Sequence, residues 1–118
     1  MAIQIFGTKK NSDARKAERF FKERGIKFQS VDLAEKGLSK GEFAAVAAAV
    51  GGADALVDPN ARDKDLLTLL QYLTPEDKAQ KLLENQQLLR QPIVRCGKQA
   101  AVGYAPEKWK AFAESEKK

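Results

Sequence analysis

The opening segment, up to Leu33, constrains the fold of this chain more than any other stretch. Ile3 and Ile5 alternate with Gln4 ahead of Phe6 and Gly7, which predicts a short strand followed by a break. Asn11 or Ser12 can then cap a helix by accepting a hydrogen bond from a free backbone N–H. Ala14, Ala17, Phe20 and Phe21 recur at spacings of three and four, a single buried stripe, and Gly25 ends the helix. A second strand is expected from Lys27 to Leu33, with Phe28, Val31 and Leu33 as its buried residues. A strand–helix–strand unit of this length implies a parallel pair joined by a right-handed crossover. The remaining chain must then pack around that pair.

It does so first with helices. Ser39-Lys40-Gly41-Glu42 matches a capping box and opens a helix through Val50, which Gly51-Gly52 stop. Residues 53–59 read as a connection with little regular structure, and residues 60–73 contain a helical segment carrying Leu66, Leu67, Leu69 and Leu70. Thr74-Pro75-Glu76-Asp77 begins another helix, with a capping hydroxyl, proline in the first turn and acids against the dipole. It runs to about Glu84, and Leu88-Leu89 anchor the segment after it. Pro92 to Arg95 is a short strand, Cys96-Gly97-Lys98 a tight turn and Gln99 to Tyr104 the returning strand. Pro106 sits near the start of a last helix containing Trp109 and Phe112, and the charged tail from Glu114 to Lys118 is expected to fray. The order βαβ–ααα–ββα describes an α/β (α+β) single domain over residues 1–118. Its four-stranded mixed sheet carries a helical insertion at about 39–90.

Composition removes several chemistries. Cys96 is the only cysteine, so no intramolecular disulfide can form. The absence of histidine excludes Cys/His zinc sites, an imidazole base and a Ser-His-Asp triad. No acidic spacing resembles an EF-hand loop, and no metal is expected. The longest apolar run, Phe43 to Val50, falls far short of the roughly 20 residues that span a bilayer. The N-terminus lacks a basic region followed by a long apolar one, so a cytoplasmic protein without a membrane partner is expected. The net charge of +5 is spread among acids, as from Arg15 to Arg24, in the manner of a solvated helix face. No basic cluster is interleaved with aromatics, so an acidic protein partner is a better expectation than direct nucleic-acid binding.

Three segments resemble the arsenate reductase/Spx family, a branch of the thioredoxin-like fold with a helical insertion. FGTKKNSDARKAERFFKERGIKF is similar to its opening, VDLAEKGLSKGEF to its second strand and following helix, and LLENQQLLRQPIVRCGKQAAVGYAPEKWKAF to its closing hairpin and helix. The resemblance implies that Asn11 stands where the family has its nucleophilic cysteine, and Ala14 where Spx-like members have a second one. The family's arginine before the proline is replaced by Gln91, with Arg90 one position earlier. Another arginine position falls on Tyr104, and Arg62 lies near the remaining one. Pro92 matches a proline that is typically cis.

This departure decides the functional expectation. A cysteine at a helix N-terminus has its pKa lowered by unpaired N–H groups and cations, but an amide at Asn11 cannot ionise or attack. Ser12 has no base to activate it and reads as part of the cap. Cys96 lies four residues beyond Pro92, about 13 Å away at about 3.3 Å per strand residue, too far to replace the missing thiol. As a turn cysteine near Arg95 and Lys98 it is nonetheless a candidate reactive thiol with a lowered pKa. What the helix terminus keeps is anion affinity. Lys9, Lys10, Asn11, Ser12, Arg90, Gln91 and Pro92 are the candidate residues for an oxyanion, carboxylate or glutathione. The expected function is a non-catalytic binding or regulatory module, its protein partner by family resemblance being RNA polymerase-like. The alternative is a thiol-dependent oxidoreductase, arsenate-reductase-like, that uses glutathione as co-substrate, or Cys96; no other cofactor is implied.

Overall fold

The computed structural model describes residues 3–117. Met1, Ala2 and Lys118, which the expected domain span includes, lie outside them. Strand β1 (Ile3–Gly7), helix α1 (Ser12–Glu23) and strand β2 (Phe28–Asp32) form the opening unit. Helices α2 (Lys40–Ala49), α3 (Lys64–Leu70) and α4 (Pro75–Glu84) come next, then strands β3 (Ile93–Cys96) and β4 (Gln99–Val102) and helix α5 (Pro106–Lys117). The sheet order is β2-β1-β3-β4, with β1 and β2 parallel and the other pairs antiparallel. This is the α/β arrangement that the strand–helix–strand opening and the late hairpin require.

The two-residue period of the central strands divides the core between the two faces of the sheet. Ile3 and Ile5 of β1 join Val94 of β3 beneath α1 and α5, where Ala17, Phe21, Trp109 and Phe112 close over them. Phe6 and Ile93 point the other way, into a core made with Val31, Phe43, Val46, Leu56, Leu82 and Leu88. Each fully buried side chain of this size contributes roughly 1.5–3 kcal/mol relative to exposure, so both faces must be covered for the sheet to persist. The helices that cover the second face start from local signals. Ser39 and Glu42 form a reciprocal capping box on α2, and the Thr74 hydroxyl accepts from the Asp77 N–H at 3.2 Å ahead of Pro75 on α4.

Several expectations are corrected. Phe20 is half-buried at the rim of the core rather than inside it: its ring meets Trp109 edge-on, and the Arg24 guanidinium lies 3.6 Å from its centroid. Phe28 and Leu33 are also only half-buried, since β2 is an edge strand. Of the four leucines in α3 only Leu70 is buried, and Leu69 is 41% exposed. Residues Ala53–Leu56, expected to be irregular, form a 3₁₀ turn that delivers Leu56 to the core, and Gln86–Leu88 form a second. Cys96 belongs to β3, leaving Gly97 (φ +61°) and Lys98 as the turn. The returning strand stops at Val102, because Gly103 adopts φ +75° and its N–H donates to the Pro92 carbonyl at 2.8 Å. The tail does not fray at Glu114: α5 continues to Lys117.

Candidate functional site

The turn from β1 into α1 is built by close approach. Gly7 lies so near α1 that a Cβ added there would sit 2.7 Å from the Ala14 Cβ, so only glycine fits without displacement. Ala14 is accordingly buried against the strand. Asn11 is the cap: its backbone is extended (φ −81°, ψ 121°) and its Oδ1 accepts from the Ala14 N–H at 2.8 Å. Ser12 is the first helical residue, exposed to solvent. The turn closes with the Asn11 N–H donating to the Thr8 carbonyl at 3.1 Å.

Gln91 faces this turn from the start of β3. Its Oε1 accepts from the Thr8 N–H at 2.7 Å and from the Thr8 hydroxyl at 3.1 Å. A backbone N–H can only donate, which fixes the amide's orientation and leaves Nε2 directed elsewhere. Nε2 has no protein partner among the described residues. The Gln91–Pro92 peptide is cis, and Pro92 is buried.

Thr8, Lys10, Asn11 and Gln91 share a cleft of about 640 Å³ with Arg62 and Asp63 from the loop entering α3. Asp58, Asn60 and Gln87 complete its polar lining. The two acids already serve the backbone: Asp58 accepts from the Asn60 N–H at 2.9 Å, and Asp63 caps α3 by accepting from the Leu66 N–H at 3.1 Å. Lys10 and Arg62 form no ion pair among the described residues. The cleft therefore holds two cations outside any ion pair, the two carboxylates of Asp58 and Asp63, and an unused amide donor.

The structure thus gathers Lys10, Asn11 and Gln91 of the expected residues and brings Arg62 to them. Lys9, Ser12, Arg90 and Pro92 do not line the cleft. Arg90 lies over Gly103 instead, its guanidinium 2.9 Å from where a Cβ on that glycine would fall. Tyr104 is exposed beside it, edge-on to Trp109, with the Lys16 ammonium 5.2 Å from its ring centroid. Of the polar lining residues, the sequence reading missed Thr8, Asp58, Asn60, Asp63 and Gln87. Asp58-Pro59-Asn60 carried a turn signal, but nothing local tied that turn to Asn11.

Cys96 is not a turn thiol. It is 4% exposed at the end of β3, opposite Ile3, and burial pushes its pKa above the usual 9.0, with Glu116 adding to the effect. The expected lowering by Arg95 and Lys98 does not occur. The Arg95 guanidinium instead donates to the Gly97 carbonyl at 3.3 Å and to Gln4 at 3.4 Å, and Lys98 is exposed. No group of three or more His, Cys, Asp or Glu side chains placed to hold a metal ion occurs among the described residues. No helix there is long and apolar enough to cross a membrane.

The parallel β1–β2 pair, the antiparallel β3–β4 hairpin and the helix start facing a cis-proline define a thioredoxin-like α/β protein. A model of the ArsC family matches residues 6–112, and the chain belongs to that family. Among solved structures, the arsenate reductase from Vibrio cholerae superposes with a TM-score of 0.82 at 23% identity, over 95% of this chain and 98% of that one. The YffB protein gives 0.81 at 18% identity, over 95% and 99%. A Staphylococcus aureus protein gives 0.77 at 23%, over 92% and 96%. At these identities the likeness is one of fold. No curated protein matches the chain in sequence.

Proposed function

We propose that this chain is a non-catalytic ArsC-family protein whose cleft at the start of α1 serves binding or regulation. The observation that carries the reading is the chemistry of the cap. Asn11, which the family resemblance sets at the nucleophile's position, spends its side-chain oxygen on the Ala14 N–H, and the one thiol of the chain is buried in β3. A redox or arsenate-reducing cycle needs an ionised sulfur at the cleft, and neither residue supplies one. A protein partner, by the Spx resemblance an RNA polymerase-like one, is the corresponding proposal for what the module serves.

A second reading has its own support. Lys10 and Arg62 are unpaired at the cleft, and such cations would attract an oxyanion or glutathione, whose own thiol could do the chemistry. Two measurements separate the readings. The first is turnover of the native protein with glutathione plus arsenate or a small disulfide; none is expected, and sustained turnover would establish the enzyme. The second is the alkylation rate of Asn11→Cys against pH. A new thiol ionising well below about 8.5 means that the helix terminus still stabilises an anion, whereas an ordinary value means that it does not.

A further inference from the structure

The outer edge of β4 leaves backbone groups unpaired in a buried place. The Gly103 N–H donates to the Pro92 carbonyl, and the two residues stand opposite each other one step beyond the β3–β4 register. They form a hydrogen-bonded pair, and such pairs alternate along an antiparallel ladder. Ala101 opposite Val94 and Gln99 opposite Cys96 are therefore bonded to β3, while Ala100 and Val102 turn their N–H and C=O groups outward. β4 is the last strand of the sheet, and no other segment bonds to the Ala100 backbone among the described residues. Ala100 is nevertheless only 6% exposed. Buried backbone groups are almost always paired, so this N–H and C=O call for a partner.

A cavity of about 290 Å³ lies against that edge. Ala49 at the end of α2 forms one side, Lys108, Ala111 and Phe112 of α5 form the other, and Lys98 and Ala100 lie between. Because α2 and α5 cover opposite faces of the sheet, the cavity opens at the edge itself. Its wall carries two ammonium groups and no carboxylate. The acids of α5, Glu107, Glu114 and Glu116, are not part of it, and Glu116 acts on the Cys96 thiol. Lys98 and Lys108 form no ion pair or side-chain hydrogen bond among the described residues.

We infer that this edge takes an extended acidic segment of a protein partner as a fifth strand. The inference does not depend on the cleft beside Asn11, with which the edge cavity shares no residue. A residue of an added strand exchanges both bonds with Ala100, giving its N–H to the Ala100 carbonyl and accepting from the Ala100 N–H. A small carboxylate would satisfy only the N–H and leave the carbonyl bare. Lys98 and Lys108 favour acidic side chains on the incoming strand. They oppose a second copy of this chain, which would bring the same two lysines to the same seam.

The test is an amide NMR titration of the full, ¹⁵N-labelled chain with a capped pentapeptide, threonine–glutamate–valine–glutamate–threonine. A version with lysine in place of glutamate and a version N-methylated at every residue serve as comparison probes. The N-methylated peptide keeps the charge and loses the backbone donors. The glutamate peptide is expected to shift the amides of Ala49, Lys98, Ala100 and Phe112 and, at saturation, to slow hydrogen exchange at Ala100 about tenfold or more. Both comparison peptides are expected to bind about tenfold more weakly. Lys98→Glu and Lys108→Glu are each expected to weaken the glutamate peptide about three- to fivefold, with the spectrum reporting that the fold is kept. Equal binding of the N-methylated peptide would mean attraction by charge alone and overturn the added strand. Equal binding of the lysine peptide, affinities untouched by both variants, or silence at millimolar peptide would overturn the inference as well. Shifts of the same amides on raising the protein concentration alone would assign the edge to a second copy and overturn the acidic partner.

Discussion

The Oε1 atom of Gln91 accepts hydrogen bonds from both the backbone N–H and the hydroxyl of Thr8, at 2.7 and 3.1 Å, across 83 positions of sequence. One side chain thereby ties the entrance of β3 to the turn that carries Asn11. The turn is fixed against the entrance of β3 as a result, and the amide's Nε2 is left without a protein partner among the described residues.

Replacing Gln91 by alanine leaves the Thr8 N–H without its acceptor in a half-buried place. The expected loss of stability is about 1–3 kcal/mol, measured from urea midpoints at constant slope. Exchange of the Thr8 amide proton should accelerate by more than that of β1 as a whole. Gln91→Glu keeps an acceptor at the same reach and should cost less. Equal stability of all three proteins would show that the turn is held by other contacts.

Gly7→Ala tests the close approach of β1 and α1. The added methyl group would stand 2.7 Å from the Ala14 Cβ, which is fixed to the helix backbone and cannot swing aside. Strain of this kind costs about 1–3 kcal/mol. Adding Ala14→Gly should recover part of it, less the cost of about 1 kcal/mol of a glycine within a helix. Thermal denaturation of the single and double variants reads both effects.

Cys96 makes a pH-dependent contribution whose sign is set by burial. The folded protein holds its thiol protonated beyond the ordinary value of 9.0, while the unfolded chain releases the proton near that value. The contribution is therefore complete below pH 9.0 and is lost as pH rises through the folded-state value. Urea midpoints should fall above about pH 9, and fall less steeply in Cys96→Ala. In the native protein at neutral pH, a thiol reagent should label Cys96 only on the timescale of opening.

The capping box on α2 behaves in the opposite sense. Glu42 accepts from the Ser39 N–H at 2.9 Å, and this bond is the main cause of a carboxyl pKa below the ordinary 4.5. Its stabilising effect is present above 4.5 and lost as pH falls through the folded-state value. Glu42→Gln should flatten that acid slope. Ser39→Ala should cost about 1 kcal/mol at neutral pH by removing the hydroxyl that accepts from the Glu42 N–H. Denaturation curves at several pH values separate the two.

Much of the fold was legible because its signals are local. Ser39 with Glu42, Thr74 before Pro75, and Gly97 in the hairpin each act within a few residues, and each holds in the structure. The alternation Ile3-Gln4-Ile5 marked a strand for the same reason. Phe20 and the leucines of α3 misled, since helical spacing marks an apolar face without saying how much chain is available to cover it. Cys96 misled differently: a position beside a Gly-Lys turn suggested exposure, but its partner across the sheet is Ile3, in the central strand β1.

The sequence by itself determined which chemistries are closed to this protein. One cysteine and no histidine rule out an internal disulfide and an imidazole base whatever the fold. It also placed a helix cap at Asn11 or Ser12, because capping depends on residues only three apart, and the structure takes Asn11. Only the tertiary structure decided which charges meet there. Arg62 reached the cleft and Arg90 turned away to Gly103, although Arg90 is the nearer to Pro92 in sequence. The physical reason is that a side chain's direction at an element's end is set by what packs behind it, and the sheet brings those neighbours together from distant parts of the chain.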